Sequence, residues 1–209
     1  MGLNRKSGFR KTITLAIWAS LGMVILIVGL HLTGFDAVAA MRDASINDAS
    51  EAGLVSNFGI VLMSIAGLVA VFGAWRRTDA PLGLFGIFCL FFAIDDGLML
   101  HEKLGSWEVL LIGAHGLLML AVIALYWRDL KRLPVPLIAS LFALGISAIV
   151  DFAWIRAIDA WLSESEFYGF LFRLSYIAED LPKFVAIVLL LAFSLGESST
   201  PKTTLAPDS

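Results

Sequence analysis

Residues 82–101 read LGLFGIFCLFFAIDDGLMLH, an unbroken apolar run from Leu82 to Ile94 that meets two adjacent aspartates, Asp95 and Asp96. As a helix rising 1.5 Å per residue, a stretch of about 20 residues bridges the roughly 30 Å of hydrocarbon in a bilayer. Lipid cannot hydrogen-bond a backbone, and the run lacks the alternation of a barrel strand, so a helix is the required form. The aspartates then lie at membrane depth, where an ionised side chain costs roughly 2.5–3.5 kcal/mol at a helix centre. Such a cost is recovered by pairing, hydration or function. The same stretch therefore sets the fold and points toward a site.

Five further apolar segments flank this one, giving a series at about Thr12–Thr33, Leu54–Trp75, Leu82–His101, Val109–Trp127, Val135–Ile155 and Phe167–Leu195. The expected fold is an all-α, polytopic bundle of six transmembrane spans with both termini cytoplasmic. It forms a single domain over 1–196, followed by a short disordered cytoplasmic tail, 197–209, rich in Ser, Thr and Pro. The composition agrees: 59% of residues are hydrophobic and 16% charged, far from the soluble balance. A net charge of -3, with basic residues scattered between apolar runs, argues against nucleic acid as a partner. The single cysteine, Cys89, sits inside an apolar run and has no partner for an intramolecular disulfide.

Arg5, Lys6, Arg10 and Lys11 ahead of the first apolar segment resemble the start of a signal peptide, but the segment is long enough to span and no small-x-small cleavage pattern closely follows it. It reads as a retained first span. These four, with Arg76, Arg77, Arg128, Lys131, Arg132 and Lys202, fall on one side of the alternating topology, and the positive-inside rule makes that side the cytoplasm. The opposite loops carry Asp36, Asp43, Asp48 and Glu51, then Asp159, Glu164 and Glu166. The expected location is a bacterial inner membrane.

On this topology the interior polar residues gather in the outer half of the bilayer. Span three carries Asp95, Asp96, His101 and Glu102; span four His115; span five Asp151; span six Arg173, Glu179, Asp180 and Lys183. They imply one polar chamber walled by spans three to six and open to the non-cytoplasmic side. Neighbouring helical residues diverge by about 100°, so Asp95 and Asp96 face different ways, while Asp95 and Glu102 share a face. Glu179 and Asp180 lie four and three residues before Lys183, within reach of its ammonium.

Carboxylate oxygens and imidazole nitrogens suit zinc, iron or manganese. The ligand set expected for such a divalent metal is Asp95, His101, Glu102, His115, Glu179 and Asp180, with Asp95, His101, Glu102 and Glu179 as the catalytic groups. The Asp-Asp-x4-His-Glu segment at Asp95–Glu102, with the later Glu179–Asp180 pair, loosely resembles a pattern in uncharacterised bacterial multi-span membrane proteins, a resemblance that implies no activity. Three histidines plus aspartate are also similar to the residue set of the alkaline ceramidase type of membrane hydrolase, which uses zinc to activate water. The chain lacks the His-x3-His pair of that family, so none of its residues are carried over.

The first functional expectation is a metal-assisted membrane enzyme acting on a lipid or lipid-linked substrate. The alternatives are a non-catalytic subunit of a larger membrane complex and a proton-coupled small-solute transporter. Expected partners are the lipid bilayer and a membrane-protein partner or second copy.

Overall fold

The computed structural model describes residues 54–98, 100–103, 107–127, 135–150, 157 and 168–199, together with scattered positions between 14 and 33. The regular elements among them are helices: α1 (Leu54–Arg77), α2 (Ala80–Leu98), α3 (Leu100–Lys103), α4 (Glu108–Trp127), α5 (Val135–Ile149) and α6 (Tyr168–Ser199). Three stretches, Ser56–Arg77, Ala80–Leu98 and Val109–Trp127, are long and apolar enough to cross a membrane, and Val135–Ile149 is a shorter apolar helix. Helix α6 is 32 residues long and runs through Pro182. It continues to Ser199, past the apolar run that ends near Leu195.

The turn between α1 and α2 follows from local chemistry. Thr78 takes a left-handed conformation (φ 51°), the usual way to end a helix, and Asp79 caps the next one by accepting a hydrogen bond at Oδ1 from the Leu82 backbone N–H at 3.2 Å. Pro81 lies in the first turn of α2, where a backbone donor is dispensable.

Helices α1 and α2 then return against each other at very close range. A Cβ built on Gly86 would stand 2.8 Å from the Val71 backbone nitrogen and 2.9 Å from the Gly67 carbonyl oxygen. Ala66 and Ala70 are fully buried beside this crossing, as the small residues of that stretch suggest. Helix α6 lies parallel to α1: Ile187 meets Gly59, and Ser194 donates to the Ala66 carbonyl at 2.7 Å. A second hydroxyl, Ser198, donates to the Val69 carbonyl at 3.1 Å. Helix α5 packs on α6, with Ser140 donating to its own Pro136 carbonyl at 2.6 Å and reaching the Ala186 carbonyl at 3.4 Å.

The core joining these helices is aromatic and aliphatic. Phe193 of α6 receives Phe85 of α2 and Tyr126 of α4 edge-on, with centroids 5.0 and 5.2 Å away. Cys89 is fully buried in the same cluster. Outside, the apolar surface continues: Phe58, Val61, Ile65, Leu68, Phe72 and Trp75 form an exposed stripe down α1 at helical spacing. Trp18, Leu21, Ile25 and Leu32 of the first segment are exposed as well. A bundle that is apolar on its outside as well as its inside is compatible with lipid as solvent, in keeping with three helices long and apolar enough to cross a membrane.

Candidate functional site

Helices α2, α4, α5 and α6 line a half-open cavity of about 190 Å³. Its walls are largely apolar, from Phe88, Phe92, Ile112, Met119, Leu141 and Leu144. Its polar groups are Asp95 and Asp96 from α2, His115 from α4, Ser147 from α5, and Glu179 and Lys183 from α6. Asp95, Asp96 and His115 are each 7% exposed, so these are interior groups rather than interfacial ones.

The two adjacent aspartates serve two different neighbours. Asp96 accepts a hydrogen bond from the Lys183 ammonium, an ion pair that ties α2 to the middle of α6. Asp95 faces His115 instead, with Oδ2 3.8 Å from Nε2. The imidazole is held from its other side: Nδ1 lies 2.9 Å from the Leu111 carbonyl oxygen. A carbonyl only accepts, so Nδ1 carries the proton in the neutral ring and Nε2 presents a lone pair. Among the described residues Nε2 has no hydrogen-bond partner, although it is buried. The gap to Asp95 is too wide for a direct hydrogen bond.

Three phenylalanines of α2 shape the surroundings of this ring. Phe91 stacks on it at 4.6 Å and 18°, while Phe88 and Phe92 stand edge-on at 6.5 and 5.3 Å. The packing these aromatics provide is against a histidine. Among the described residues lining the cavity with His115, the charged groups are Asp95 and Asp96 from α2 and Glu179 and Lys183 from α6, and the hydroxyl from α5 is that of Ser147.

With the geometry in place, comparison with known proteins adds one result. Residues 13–196 match the model of a protein family described as a domain of unknown function (DUF8692). The chain belongs to that family. No curated protein and no solved structure matches it.

The structure gathers part of the residue set expected from sequence. Asp95, His115 and Glu179 line one cavity. Asp180 is half-buried on α6 and is not among the lining residues. His101 and Glu102 lie on α3, and their side chains fall outside the described residues, as do His31, Asp151 and the side chain of Arg173. Among the described residues, no three His, Cys, Asp or Glu side chains are grouped closely enough to hold a metal ion. Sequence reasoning offered Lys183 two partners on its own helix, Glu179 and Asp180, and Asp151 across the bundle. It did not name Asp96, although the two residues sit at matching depth on antiparallel spans.

Proposed function

We propose that the protein is a six-span carrier of a small solute in a bacterial inner membrane, with both termini cytoplasmic, and that Asp95 and His115 exchange protons in its chamber. The observation that carries this reading is the buried Nε2 of His115, held by the Leu111 carbonyl behind it and aimed at a carboxylate 3.8 Å away. A fixed imidazole facing a carboxylate in a largely apolar cavity is suited to taking up and releasing protons. The neighbouring Asp96–Lys183 pair engages the second aspartate separately from His115. Helices that alternate in direction from α1 to α2 support the alternating topology, and the sequence positions of Arg76, Arg77, Arg128, Lys131 and Arg132 fit the positive-inside rule.

Infrared difference spectra of the protein in bilayers, taken across a pH change, test the proton exchange. A carboxylic-acid band that disappears in Asp95→Asn and shifts in His115→Gln is expected. Titration of the imidazole with no response from Asp95 would overturn the reading.

A second reading, a metal-assisted enzyme acting on a lipid or lipid-linked substrate, is favoured by the same unpartnered nitrogen. His115 and Asp95 would supply two ligands, with Glu179 on the facing wall, and His101 and Glu102 are the further donors in the sequence. A zinc, iron or manganese ion there would polarise a water molecule. Stoichiometric metal in the purified protein, lost in His115→Ala, is the result that would favour this reading over the carrier.

A further inference from the structure

We infer that the solute taken by this chamber is uncharged: a compact apolar molecule with one hydrogen-bonding group, which it places on the Ser147 hydroxyl of α5. The inference rests on the chamber reading above and names its solute.

Ser147 is the observation that carries it. A serine inside a helix commonly turns its hydroxyl back to the carbonyl four residues before it. Ser64 and Ser140 do so, at 2.8 and 2.6 Å, while Ser194 and Ser198 reach carbonyls of α1. Ser147 is 7% exposed and lines the cavity, yet its hydroxyl has no hydrogen-bond partner among the described residues. A buried hydroxyl left in that state costs free energy that a solute in the cavity can recover.

The charged groups of the same wall are engaged within the protein. Lys183 donates to Asp96, and neither Asp95 nor Glu179 is without a partner. An ion entering here would leave water with no group set aside to pair it, and burying an unpaired charge costs far more than burying a hydroxyl. The remaining wall, with Ile112, Met119, Leu141 and Leu144, suits apolar surface.

Volume sets the size of the body. A cavity of about 150 Å³ takes up benzene, so one of about 190 Å³ holds a single ring or a short branched chain with its polar group. A Cβ built on Gly116 of α4 or Gly145 of α5 would meet nothing within 4 Å, and both glycines line the cavity. A larger side chain at Gly145 therefore fills cavity space without a clash at Cβ.

The test is binding of tritiated benzyl alcohol to the protein in lipid nanodiscs by scintillation proximity, with empty nanodiscs correcting every compound for partition into lipid. Saturable binding is expected. Toluene, which lacks the hydroxyl, should compete at least about threefold more weakly than unlabelled benzyl alcohol, the scale of one neutral hydrogen bond. Benzylammonium and benzoate, which carry charge in place of the hydroxyl, should not compete. Ser147→Ala should remove the advantage of benzyl alcohol over toluene while leaving toluene unchanged, a pattern that a general loss of folding would not produce. Gly145→Leu should abolish binding at an unchanged unfolding midpoint. No saturable binding, an advantage over toluene that persists in Ser147→Ala, or a charged analogue competing as well as benzyl alcohol would overturn the inference. Such a failure with the Asp95–His115 infrared response intact would reject the uncharged solute alone. Loss of that response would reject the proton-exchanging chamber itself.

Discussion

Replacing Lys183 with methionine removes the cation from a pair whose side chains are 16% (Lys183) and 6% (Asp96) exposed. The Asp96 carboxylate then stays buried without the ammonium that offsets its desolvation. Breaking a buried pair from one side costs about 3–5 kcal/mol, whereas replacing both partners with neutral groups is often close to neutral. Asp96→Asn is the milder single change, because the long lysine stem can move its charge toward the more open part of the cavity. The expected order is therefore Lys183→Met least stable, Asp96→Asn intermediate, and the double variant nearer wild type than either.

A cycle of this form should yield a coupling of about 2 kcal/mol or more, well beyond the 0.3–0.5 kcal/mol scatter of independent sites. The assay is reversible unfolding in mixed micelles, with helicity followed by circular dichroism for wild type, both single variants and the double variant. Two losses that simply add would refute the reasoning and show that Lys183 and Asp96 contribute independently. A parallel cycle with Glu179→Gln separates the partner across the bundle from the one a helical turn away. The larger coupling is expected with Asp96, because its oxygen receives the ammonium hydrogen bond.

Reporter fusions after Arg77, Arg132 and Glu197 should register the cytoplasm, and fusions near Asp48 and Ser163 the opposite compartment; a cytoplasmic signal at Asp48 would overturn the proposed topology. Gly86→Ala should destabilise the bundle by about 1–3 kcal/mol in the same unfolding assay, since its Cβ meets backbone at 2.8 Å, whereas Gly116→Ala should be neutral or slightly stabilising.

Much of the architecture was legible because the decisive physics is local. Whether residues 82–94 can cross a bilayer depends on length and polarity, and α2 occupies Ala80–Leu98, close to the expected span. Helices α1 and α4 likewise fall at Leu54–Arg77 and Glu108–Trp127, within two residues of their expected ends. The α1–α2 crossing was legible only in kind. Small residues signal a close approach, but sequence alone does not say that Gly67 opposes Gly86, since that depends on the register between two helices. The end of α6 was obscured because Glu197–Ser199 are polar and read as tail, yet Ser198 finds a backbone acceptor on α1 and the helix continues.

The doublet Asp95–Asp96 shows where reading one helix at a time stops. Adjacent residues on a helix diverge by about 100°, which correctly forbids both carboxylates from acting on one point. The same divergence permits something else: a helix lying between two neighbours can offer one acid to each. Helix α2 does this, giving Asp95 to His115 on α4 and Asp96 to Lys183 on α6. Each contact satisfies a different requirement. The lysine pair compensates a buried charge and joins two helices, so its loss should appear first in stability. The histidine pair is held 3.8 Å apart, with a buried nitrogen that has no hydrogen-bond partner among the described residues, so its loss should appear first in protonation and binding. Two neighbouring residues of the same type are thus assigned opposite phenotypes, one structural and one functional. A pair of variants, Asp96→Asn and Asp95→Asn, that lowered stability equally and affected binding equally would collapse that distinction.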